Sequence, residues 1–90
     1  MQAAEAAADA PGVPLRPSAA EERTARKELQ RLERQLQRLS ARETELTAQL
    51  AANAADYEKL TLLGADLRAT QAEKEDLEER WLTVAAELDP

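Results

Sequence analysis

The chain has no cysteine, no histidine and no phenylalanine, and only one tryptophan, one tyrosine and two glycines. Each scarcity removes a class of chemistry. Without Cys or His there is no thiolate nucleophile, imidazole base, soft-metal site or disulfide framework, so most catalytic constellations are excluded. Gly12 and Gly64 stand far apart and neither leads into a Lys-Ser/Thr pair, so the chain holds no phosphate-cradling loop. Carboxylates are plentiful, but they work as acid and base only where a rigid pocket drives their pKa values apart, and a helical rod offers none. This stretch of chain is therefore not expected to be an enzyme, and no cofactor or metal is expected in it. No run approaches the ~20 apolar residues of a membrane span, and the N-terminus lacks the basic-then-apolar layout of a secretion signal. A soluble, cytoplasmic protein without membrane contact is the expectation.

What remains is helix-forming material. Ala, Glu, Lys, Leu and Arg supply about two-thirds of the 90 residues, the composition of a long helix or coiled coil when a heptad period accompanies it. The first 17 residues are Ala-rich and then carry Pro11, Gly12, Pro14 and Pro17. Helix does not persist through that spacing, so residues 1–17 are expected to be a flexible, disordered tail or linker.

Order is expected from Ser18. Ser18 and Glu21 match a reciprocal capping box, in which each side chain satisfies a backbone N–H of the other's turn. Leu29, Leu32, Leu36, Leu39, Leu46 and Leu50 then recur with heptad spacing, interrupted by Glu43. The pattern breaks at 51–57, where Asn53 suits a helix C-terminus and Asp56 the next N-cap. A second seam follows at Leu60, Leu63, Leu67, Leu77, Trp81, Val84 and Leu88, with Thr70 and Lys74 as polar interruptions. The all-α reading is an antiparallel two-helix coiled-coil hairpin over 18–89. Helix 1 is placed at about 19–52, the turn at about 53–56 and helix 2 at about 57–88. A monomer follows from that reading. The rival is one long helix that absorbs the phase shift at the alanines of 51–55 and dimerises.

Charge suggests a register. With Leu50 opposite Asp56, Glu28 falls near Arg80, Arg26 near Glu78, Arg42 near Asp66, and Trp81 over Ala25. A one-heptad slip brings more leucines together, notably Leu36 with Leu77, but sets Glu28 near Glu87 and Glu33 near Glu78. On charge the tight register is preferred.

Arg23, Lys27, Arg31, Arg34 and Arg38 recur at spacings of four, four, three and four. At about 100° per residue they share roughly 80° of arc opposite the leucine seam, over some 22 Å of helix. Such a row can follow a phosphate backbone; it can equally be a solvated outer face. No aromatic interleaves with it, which argues against base stacking on single strands. Residues 16–42 carry eight basic groups against four acidic, and 43–90 four against twelve. In a hairpin Glu73, Glu75, Asp76, Glu78 and Glu79 would lie alongside the basic half and weaken phosphate binding. Trp81 is read as an anchor in the seam near the open end. Tyr57 is left as either turn packing or an exposed contact.

Tyr57-Glu58-Lys59-Leu60, the run from Leu67 through Leu77, and the closing Glu78-Glu79-Arg80-Trp81-Leu82 resemble the C-terminal coiled-coil domain of Uup-type ABC-F ATPases. Arg26-Lys27-Glu28-Leu29, with Leu32-Glu33 and Leu36, resembles that domain's opening. The resemblance covers about residues 23–88. It implies a non-catalytic domain of a two-cassette ATPase whose ATP and magnesium are held elsewhere in the parent protein. It also implies contact with DNA or ribosomal RNA, with Arg23, Lys27, Arg31, Arg34 and Arg38 as the matching basic surface. The net charge of −6 leaves room for a second reading, a structural module docking on the ATPase cassettes of the same chain or on another protein. The turn, Ala51 to Ala55, is shorter than the proline-containing turn common in that family.

Overall fold

A computed structural model describes residues 17–88. They form two long helices, α1 (Ala19–Ala52) and α2 (Tyr57–Leu88), which pack on each other as an antiparallel hairpin. The folded-back arrangement, not the unbroken rod, is the one adopted. The linker expected at 1–17 lies outside the described residues apart from Pro17.

Local chemistry accounts for both ends of α1. The Ser18 hydroxyl accepts from the Glu21 amide at 3.1 Å, and the Glu21 carboxylate accepts from the Ser18 amide at 2.9 Å, the reciprocal cap the sequence specifies. At the far end the Asn53 amide donates to the Gln49 carbonyl at 3.0 Å, and its side-chain Nδ2 donates to the same oxygen at 2.8 Å. Two donors on one carbonyl close the helix without a glycine. Asp56 then caps α2, its carboxylate accepting from the Lys59 amide at 3.1 Å.

The core is the seam between the helices. Leu46 and Leu32 are fully enclosed, and Ala25, Val84 and Thr70 are buried with them. Leu29, Leu77, Trp81 and Leu88 pack against the Ala25, Leu32 and Val84 cluster. Thr70 keeps its burial inexpensive by donating its hydroxyl to the Asp66 carbonyl at 2.8 Å, one turn back.

Four links fix the register, and it is not the one favoured by charge. Lys74 Nζ lies 2.8 Å from Glu43 and Arg42 Nη2 3.7 Å from Asp66. Residues 42 and 43 thus reach two turns apart on α2, to either side of buried Thr70, which stands level with them. Counting one heptad outward sets Leu36 level with Leu77. The indole N–H of Trp81 donates to Glu33 at 3.2 Å, about two turns from Ala25, over which it was expected to lie. The hairpin is therefore slipped one heptad from the tight register. Burying a leucine contributes ~1.5–3 kcal/mol, whereas exposed ion pairs contribute ~0–1, so the leucine layers prevail. The like charges that argued against this alignment have other partners. Glu28 accepts from Arg80 at 3.0 Å, and Glu33 takes the indole proton. Arg80–Glu28 and Arg42–Asp66 were foreseen; long side chains slant across the seam to make them in the slipped register.

Candidate nucleic-acid interface

The five sequence-predicted cations all lie on α1 and all are exposed. Helical geometry sets them on the face turned away from α2, because the residues between them in the heptad are the seam leucines. The row spans four turns with a mean rise of about 6 Å per cation.

The cations are not equivalent. Arg31, at the row's edge nearest α2, bonds Glu28 at 2.6 Å. Arg23, Lys27, Arg34 and Arg38 form no ion pair among the described residues. Glu28 receives Arg31 on one oxygen and Arg80 on the other. Those hydrogen bonds, first from Arg31 and then from Arg80, hold its carboxyl below the ordinary glutamate value. Glu28 therefore clamps α2 to α1 and partly neutralises one member of the row.

The acidic run of α2 does not quench the row directly. Glu73, Glu75, Asp76, Glu78 and Glu79 are exposed, and none of them pairs with a cation of the row among the described residues. Positive and negative outer faces instead occupy different helices at the same level of the hairpin. Chemically, such a row of exposed guanidinium and ammonium groups can make charge-assisted hydrogen bonds to anionic groups. Among the described residues no cluster of acidic side chains is placed to hold a metal ion, and no helix is long and apolar enough to cross a membrane.

Sequence reasoning did not pair the two seam interruptions with each other. Glu43 and Lys74, each half-buried, bond across the hairpin. The Lys74 hydrogen bond is the main cause of a lowered Glu43 carboxyl, and the same bond raises the Lys74 ammonium. The signal was available as two charges of opposite sign on facing seams, but it required the register. Trp81 is half-buried against the core cluster, as a seam anchor, while standing away from the open end. Tyr57 is 82% exposed beside the turn.

A family model described as the ABC transporter C-terminal domain matches residues 20–86, both arms and the turn between them. No curated protein and no solved structure matches the chain significantly.

Proposed function

From the premise that the chain belongs to the ABC transporter C-terminal domain family, we propose that it serves an ABC-F-type ATPase as a non-catalytic accessory contacting nucleic acid. The parent's cassettes supply ATP and magnesium chemistry. The hairpin, acting as a monomer in the cytoplasm, adds a phosphate-following surface of DNA- or ribosomal-RNA-binding type. One observation supports this reading: Arg23, Lys27, Arg34 and Arg38, at spacings of four, seven and four, are exposed on one face of α1 with no carboxylate in an ion pair with them among the described residues. Arginine's planar fork suits bidentate contact with phosphate oxygens, and each phosphate neutralised adds to a salt-dependent affinity.

The test is titration of the chain with duplex DNA and with structured RNA at ~50 and ~200 mM salt. Four neutralised phosphates predict a loss of about a hundredfold in affinity between those concentrations. Replacing Arg34 and Arg38 by Glu should abolish binding while leaving helicity intact. Unchanged affinity in that variant, or affinity indifferent to salt, overturns the reading and leaves docking on the ATPase cassettes or another protein.

A further inference from the structure

On a different flank from the cation row, Leu36, Glu78, Trp81 and Leu82 line a shallow groove between the helices. Leu82 is 62% exposed although it neighbours a seam residue. The Trp81 indole N–H is already satisfied by Glu33, so what the ring presents to the groove is apolar surface. The rim carries charge of one sign. Glu33 stands beside the indole, Glu78 forms a wall, and Glu75 and Glu79 are exposed next to it; none is in an ion pair among the described residues. The nearby cations bond elsewhere, Lys74 to Glu43 and Arg80 to Glu28, although Lys74 is also close enough to feel the charge of Glu78.

An apolar floor with a predominantly acidic rim selects its partner by complementarity. We propose that this groove binds a positively charged amphipathic helix of a protein partner. Its aliphatic side chains enter between Leu36, Trp81 and Leu82, and its Lys or Arg residues meet Glu33, Glu75 and Glu78. The mode is helix-in-groove, in which apolar anchors give affinity and rim charges give orientation. The groove uses no residue of the cation row, so it stands whether or not that row binds nucleic acid. If both hold, the hairpin joins a phosphate backbone on α1 to a basic protein on its other flank.

Trp81 is the sole tryptophan, so its emission reports the groove directly. The probes are a synthetic 14-residue Leu/Lys amphipathic helix and an Ala/Lys helix of the same charge, added to the full chain. The Leu/Lys peptide should shift the emission to the blue in a saturable way, and the Ala/Lys peptide should bind at least tenfold more weakly. Leu82→Asn, at an exposed position that leaves the fold intact by circular dichroism, should weaken the Leu/Lys peptide about tenfold. The Arg34→Glu, Arg38→Glu variant should bind it as the unaltered chain does. Equal binding of the two peptides, or indifference to Leu82→Asn, means mere charge attraction and overturns the proposal. An emission shift on concentrating the protein alone assigns the groove to a second copy. A shift on deleting residues 1–16 assigns it to the chain's own N-terminal segment. Either overturns the proposed occupant.

Discussion

The two helices are nearly equal in length and share one seam, yet they use their remaining surface differently. α1 keeps its leucines on the seam and fills the outer face with cations. α2 carries leucines off the seam, with Leu62 68% and Leu82 62% exposed, and has acids at Glu75, Glu78 and Glu79 on the turns before Leu82. A helix built only to be buried by its partner has no use for leucines in water, although single exposed ones are commonplace. Where one of them, Leu82, borders a groove with an acidic rim, it marks the arm whose packing is incomplete within the chain. α1 reads as an arm finished by the hairpin; α2 reads as one with further contacts to make.

Truncation should expose that difference most strongly. Leu46 is fully enclosed, so Leu46→Ala should lower stability by about 2–5 kcal/mol, a large part of what so small a domain has. Leu62→Ala removes a comparable side chain from water-facing surface and should change stability by less than ~0.5 kcal/mol. Chemical denaturation of both variants checks the contrast. Equal losses would mean that α2's exposed leucines are covered in solution, and the asymmetry between the arms would disappear.

Charge reversal sharpens the comparison from the other side. Replacing Glu75, Asp76 and Glu79 by Lys removes the negative face that shares the level of the cation row. Nucleic-acid affinity at ~50 mM salt should rise several-fold, and most of the gain should vanish by ~200 mM as screening shortens its reach. An unchanged affinity at low salt would show that the two faces act independently. The direct pairs point in that direction for contacts but not for the longer-range field, because among the described residues the row's only ion-pair partner is Glu28.

The fold was legible because its determinants are local and repetitive: a capping box at Ser18, leucines at heptad spacing, and Asn53 and Asp56 at the turn. The cation row was legible for the same reason, since its residues share one helix. Register is non-local, and there the reading failed. Weighing flanking charges favoured the tight alignment because the slipped one sets Glu28 near Glu87 and Glu33 near Glu78. Only the assembled structure shows Arg80 and the Trp81 indole satisfying them. The groove was hidden by the same error, because it forms where Leu36, level with Leu77, comes beside Glu78, Trp81 and Leu82. Paired cysteines separate the alignments. Leu36→Cys with Leu77→Cys should form an intramolecular disulfide readily under mild oxidation, and Ala25→Cys with Trp81→Cys should not. The reverse outcome would restore the tight register and remove the groove with it.

The smallest expected effect concerns the one ionic link that both seams share. Glu43 is held below its ordinary value of 4.5 and Lys74 above its ordinary value of 10.5, in each case chiefly by their mutual hydrogen bond. A depressed carboxyl contributes stability that is present above its unfolded value and is lost as pH falls through the folded one. A raised ammonium contributes stability that is present below its unfolded value and is lost as pH rises through the folded one. The pair should therefore act between those limits. Glu43→Gln keeps the shape and removes the charge, so its melting temperature should fall below that of the unaltered chain near pH 7. The gap should close only as the pH falls below 4.5 and through the lowered range in which the native carboxyl takes up its proton, and should close again in strong alkali. Taking the difference between the two proteins cancels the general relief of repulsion that protonating the other acids brings to a chain of net charge −6. A gap that stays constant from about pH 7 down through acid in which every carboxyl of the folded chain is protonated would mean that Glu43 acts through packing, and the seam's register would then rest on its leucines and Trp81 without help from charge.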